Sequence, residues 1–276
     1  MGGTLGVTKY TPEFAERLYS YITSAAAQPD VRAAVDANHD DNRWWPAYVS
    51  DWRVRMVVAG WSTRVSYAMV GTYADVVAQA DALGWDSLTA LNDQSLSGLV
   101  RPIGLLAARI RYLRSLAGYI EAAGLSITDV TASSADELIG SFKAGVAGAG
   151  YNIAQCAVLY ARGYHCGVIP VDSGMVTKLA PLLGITLATG PAAHEHLRTL
   201  LQSAAVAKAD AYRKLVSRLG YDVTIPGDAP PTWFVHLVLI YFKRLYLNRI
   251  APELCVRRPA CAELFGCHCL PEGAVL

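Results

Sequence analysis

With 276 residues, of which 53% are hydrophobic and only 17% charged, the chain can bury one large core or two modest ones and is too apolar to stay disordered. A formal net charge of +1 excludes a strongly basic protein, though not local basic surfaces. No apolar run approaches the ~20 residues that span a bilayer, and the start of the chain lacks a signal-peptide core. The expected location is the cytoplasm, with no membrane partner.

In chain order, residues 11–27 predict a helix with Thr11 as N-cap, Pro12 at the first helical position and Glu13 in the first turn. Residues 29–50, broken by Pro29, Asn38, Asn42 and Pro46, read as loop with short helical pieces. From Trp52 helical spacing dominates, with helices expected near 53–60, 65–83, 86–91, 93–101, 104–123, 134–142, 150–163 and 171–183. Residues 192–220 predict a long helix or a pair ended by Gly220, 221–232 a proline-rich loop, and 233–249 an apolar helix. No segment shows sustained period-two alternation, so the expected class is all-α.

Charge is unevenly spread. Residues 11–52 carry seven acids against three bases, whereas 100–115 carry Arg101, Arg109, Arg111 and Arg114 with no acid. Such stretches track phosphates or are simply solvated helix faces. Of the six cysteines, Cys255, Cys261, Cys267 and Cys269 cluster near the end of the sequence. In a chain without a secretion signal, that clustering points to a metal or iron–sulfur site before disulfides.

The most informative run is 147–184. Gly148-Ala149-Gly150 is a small-residue turn before a helix starting near Tyr151. It leaves that helix's first N–H groups open to a phosphate, or it is an ordinary helix–helix corner. Beyond it, Val171-Asp172 places an acid at the start of the next helix, where a simple N-cap is the bland alternative.

This order resembles the helix–hairpin–helix DNA glycosylases of the endonuclease III type. The family's hairpin L-P-G-V-G-x-K-T-A is matched by residues 146–154, and its V-D-T-H-x-x-R by the segment opening with Val171, Asp172, Ser173 and Gly174. Gly104–Arg109 is similar to the family's G-[LFY]-x-x-x-[KR], residues 57–63 to its wedge stretch, and residues 236–240 to the H-x-x-L-I helix before its cysteines. The resemblance covers roughly residues 50–270. It implies a helical barrel domain (50–165) ending in the hairpin, packed on a second helical domain (11–49 plus 166–276) that carries a C-terminal iron–sulfur loop. It further implies a monomer acting on double-stranded DNA. Gly148, Ala149, Gly150 and Tyr151 would hold backbone phosphates, with Trp61 and Arg109 as further DNA contacts. Asp172 would stabilise positive charge on the sugar, or orient a water, as a flipped base departs.

The departures matter. The family's lysine nucleophile is replaced by Asn152, and an amide forms no Schiff base; Asn152 positions a water or substrate, or is only a first-turn residue. The resemblance therefore implies a monofunctional glycosylase without lyase activity. Alternatives are a DNA-binding lesion sensor without catalysis and an enzyme repurposed for a small nucleoside. The family histidine is replaced by Gly174. The spacing C-x5-C-x5-C-x-C departs from the family's C-x6-C-x2-C-x5-C, so Cys255, Cys261, Cys267 and Cys269 are expected to hold a 4Fe–4S cluster, with zinc or no metal as alternatives.

Overall fold

The computed structural model describes residues 7–39 and 48–247. Among them the regular structure is helical throughout, without a strand, so the all-α expectation holds. No helix among the described residues is long and apolar enough to cross a membrane.

The elements follow from local sequence. Helix α1 (Pro12–Ala26) starts as expected: the Thr11 hydroxyl accepts from the Phe14 N–H at 3.1 Å, and Pro12 opens the first turn. Its buried face is Phe14, Leu18, Ile22 and Ala25, spaced by three or four residues. Helix α2 (Pro29–Asp36) buries Val31 and Val35, an i, i+4 pair. Next come α3 (Trp52–Trp61), α4 (Val70–Ala90), α5 (Asp93–Val100), α6 (Leu106–Ala123), α7 (Ile127–Ala132), α8 (Ala135–Gly145) and α9 (Tyr151–Arg162). Helix α4 is two helices meeting at Gly84, whose φ of 71° breaks the helical path. Then follow a π-helical turn (Met175–Leu179), α10 (Ala180–Leu182), α11 (Ala192–Ala207), α12 (Ala209–Leu219), α13 (Thr232–Phe242) and a second π-helical turn (Lys243–Leu247).

The chain divides into two compact units. One comprises Asp40–Pro170; the other joins Met1–His39 to Val171–Leu276. In the first, α3 packs along α9, and α8 packs on α9 as its hairpin partner. The Tyr112 ring fills the place a side chain at Gly60 would take, and its hydroxyl donates to the Met56 carbonyl at 2.8 Å. In the second unit α13 is central: every residue from Thr232 to Phe242 is buried, and it packs against α1, α2 and α11. That is why this helix is apolar all round rather than along one stripe. His196 ties two segments together. Its Nδ1 accepts from the Ala188 N–H at 3.1 Å and its Nε2 lies 2.7 Å from the Thr8 carbonyl.

Candidate functional site

The Asp40–Pro170 unit presents the hairpin. Helices α8 and α9 are joined by Val146–Gly150, with Gly148 at φ 85° and Gly150 in the extended N-cap position of α9. A turn with this backbone needs glycine at Gly148, because an L side chain is strained there. Gly150 supplies no capping side chain, so the first N–H groups of α9 stay open at the positive end of the helix. The turn is held from behind by the Ser115 hydroxyl of α6, which accepts from the Ala147 N–H at 2.8 Å. Gly148 and Gly150 are exposed, while Ala149, Tyr151 and Asn152 are half-buried in the same corner. Lys143 lies with Nζ 4.8 Å from the centroid of the Tyr151 ring. It adds a cation beside the α9 terminus.

Trp61 and Arg109 are corrections. Trp61 is fully buried in the core, and its indole N–H donates to the Arg109 carbonyl at 3.2 Å. A side chain with no exposed surface is not a wedge for DNA. Arg109 is 2% exposed, and its guanidinium is spent on backbone carbonyls: Gly104 at 2.8 Å, Ile103 at 2.9 Å, Thr63 at 3.1 Å and Trp61. It gathers the carbonyls left over where α3 and the turn before α6 end. Arg114 is occupied in the same way by the Thr89 and Leu91 carbonyls and by Asp93. The basic run at 100–115 is thus largely structural, leaving Arg101 and Arg111 exposed. At its start Leu105 is an exposed apolar residue in a left-handed conformation, φ 52°, directly after Gly104 at φ 68°. The sequence motif contains Leu105, but nothing in it signals this backbone.

Asp172 belongs to the other unit. It caps the helical segment that runs into the first π turn: Oδ1 accepts from the Met175 N–H at 2.7 Å. Oδ2 accepts from the ammonium of Lys243, the first residue of the second π turn. The two π turns pack against each other at this point, and the Lys178 ammonium donates to the Leu247 carbonyl at 3.2 Å. The carboxylate side chain is 36% exposed and the lysine side chain 4%. Burial raises the Asp172 carboxyl, but the charge and hydrogen bond of Lys243 and the Met175 N–H outweigh it, so the group is held below the usual carboxylate value. His236 is buried on α13, stacked on Trp233 with ring centroids 5.5 Å apart. Burial, reinforced by Arg244, pulls its imidazole down to about 3, so it is neutral.

The structure therefore gathers the predicted residues into three places: the hairpin with Asn152, the core pair Trp61 and Arg109, and Asp172 with Lys243 and His236. Lys243 is the residue that sequence reasoning missed, because a lysine ending an apolar run carries no signal of a partner 71 positions away. Cys255, Cys261, Cys267 and Cys269 lie outside the described residues. Among the described residues no group of three or more His, Cys, Asp or Glu side chains is placed to hold a metal ion, and Cys156 and Cys166 are half-buried.

No protein-family model matches the chain, and no curated protein matches it. Among solved structures it is similar to one described as MBOgg1 in complex with a low-affinity DNA ligand, at 15% sequence identity and a TM-score of 0.49, covering 82% of this chain and 70% of that one.

Proposed function

We propose that this chain is a monofunctional DNA glycosylase, hydrolysing the N-glycosidic bond of a damaged or mispaired base flipped from duplex DNA. The observation that carries the reading is Asp172: a carboxylate held ionised and fixed through both oxygens, yet open to solvent over about a third of its surface. As the base leaves, the sugar becomes oxocarbenium-like, and a preorganised carboxylate stabilises that charge without reorganising. A group held in its basic-poor, ionised form suits electrostatic stabilisation and orientation of water better than strong proton abstraction. Asn152 occupies the place of the nucleophilic lysine in the family the sequence resembles, so water is the acceptor and no Schiff base forms there.

DNA contact is assigned to the exposed hairpin, where open N–H groups of α9 and the ammonium of Lys143 meet phosphate. The wedge role expected of Trp61 passes to Leu105, an exposed apolar tip in strained backbone. With this reading goes a metal centre on Cys255, Cys261, Cys267 and Cys269, a 4Fe–4S cluster or zinc; iron, sulfide and zinc analysis of the purified protein decides between them.

The test is a base-release screen over oligonucleotides carrying damaged and mispaired bases. Wild type is expected to release at least one base without strand cleavage, and Asp172→Asn to lose release by at least ~100-fold while binding duplex as before. Binding without release of any base defeats the glycosylase reading. That result belongs to a second reading, a lesion sensor without catalysis, favoured by one observation: Lys243 already occupies Oδ2 and partly cancels the field of the carboxylate.

A further inference from the structure

Asp172 and Lys243 meet within the second unit across 71 positions of sequence, and three features show that the meeting is built rather than incidental. The first is the asymmetry of exposure: the ammonium is buried beneath a carboxylate that faces outward. The second is Gly174. A Cβ at this position would stand 3.1 Å from the Lys243 Nζ, 3.2 Å from its Cδ and 3.4 Å from Asp172 Oδ1, so a side chain here would press on the lysine that reaches the carboxylate and make it give way. Gly174 has an ordinary helical φ of −70°, so conformational freedom does not explain it. The third is backbone irregularity: Lys243 opens one π-helical turn and Asp172 stands three residues before another, a form uncommon in helices and frequent at functional sites.

We propose that Lys243 is a positioning residue for Asp172, a buried counter-charge that fixes the orientation and ionic form of the carboxylate through the gap left by Gly174. With Oδ1 on the Met175 N–H and Oδ2 on the ammonium, both oxygens of the carboxylate are fixed while about a third of the side chain stays open to solvent. The charged and titratable groups around the pair act in opposite senses: burial, Arg244 and Lys178 disfavour the Lys243 ammonium, and Asp172 holds it. Lys243 and His236 face Asp172 from α13 and its π turn, while Arg244 and Lys178 bear on Lys243. Without the ammonium, burial of the carboxyl is opposed chiefly by the Met175 N–H, and the neutral acid gains ground. The use of this pairing in catalysis rests on the glycosylase reading of Asp172; the pairing itself does not.

The experiment is a carboxyl-carbon NMR titration of the full chain, with the Asp172 resonance identified by its loss in Asp172→Asn. In wild type the resonance is expected to titrate below 3.8, the ordinary aspartate value. In Lys243→Met the midpoint moves up, and in Gly174→Ala it moves up by less, because the added methyl displaces the ammonium without removing it. A wild-type midpoint at or above the ordinary value, or equal midpoints in wild type and Lys243→Met, overturns the proposal. Should Lys243→Met fail to fold, the wild-type titration and Gly174→Ala decide it. Where base release is measurable, Lys243→Met is expected to lose more at pH 5.5 than at pH 8, with partial rescue by Lys243→Arg; equal loss at both pH values overturns the positioning role. A chain that shows the titration shift but releases no base keeps the pairing and refutes only its catalytic use.

Discussion

Arg109 illustrates how far a single residue's role depends on where its charge is spent. Its place in a basic stretch marks it as a phosphate ligand, whereas its burial among four carbonyls makes it a cross-brace between α3 and the turn before α6. The two roles have opposite signatures. A phosphate contact removed weakens DNA binding and flattens its salt dependence by about one unit of slope, with stability intact. A buried brace removed strands carbonyls away from water at ~1–3 kcal/mol apiece, before solvent entry offsets some of it. Arg109→Met is therefore expected to lower the free energy of unfolding in urea by about 3 kcal/mol or more, while the salt slope of duplex binding at permissive temperature stays unchanged. A stable variant with a reduced slope would return Arg109 to the DNA surface. Sequence reading failed here for a plain reason: neither composition nor spacing records which helix ends lie within reach of a long side chain.

Helices were the most legible level, since their caps and periodicities are local. Thr11 and Pro12 mark α1, and the break near Gly84 divides α4 as the glycine implies. Helix α7 escaped notice although Ser126 and Asp129 form a complete capping box, with the Asp129 N–H donating to the Ser126 hydroxyl at 3.2 Å and the Ser126 N–H donating to Asp129 Oδ2 at 2.9 Å. A helix of one and a half turns has too short an apolar pattern to stand out. The hairpin was legible as glycines, but its openness was not, and that openness is testable. Gly150 has φ −83° and ψ 177°, a backbone that suits Asp, and nothing lies within 4 Å of a Cβ built there. Gly150→Asp should cap α9 and favour the negative charge at its N-terminus, raising stability by a few tenths to ~1 kcal/mol. The same carboxylate would stand where a phosphate is proposed to sit. Duplex binding should therefore weaken while the melting temperature rises, a divergence read from thermal melts and fluorescence anisotropy on one variant. Unchanged binding would remove the hairpin from the DNA-facing surface.

For the molecule as a whole, stability is tied to pH by a histidine that the sequence shows only as an interruption in an apolar run. His236 sits in the wholly buried α13, its imidazole held neutral with a value of about 3 in the folded chain against 6.5 when exposed. Below about pH 6.5 the unfolded chain takes up a proton that the folded chain refuses, so folding loses stability progressively as pH falls toward 3, at up to ~1.4 kcal/mol per pH unit. Asp172 acts in the same direction but later. Its folded carboxyl lies below the ordinary 3.8, so its contribution is complete above that value and lost only as pH falls through the lower, folded one. The two groups therefore separate on the pH axis, and of the two it is His236 that costs stability between pH 6.5 and 4.5. Urea unfolding across this range should show wild type falling steeply and His236→Gln falling little, even where the variant starts from lower stability because a buried ring stacked on Trp233 has been removed. Parallel slopes would mean that the imidazole is protonated within the folded core, beside Lys243 and Arg244. That in turn would require the Asp172 carboxylate to balance more positive charge than one lysine supplies.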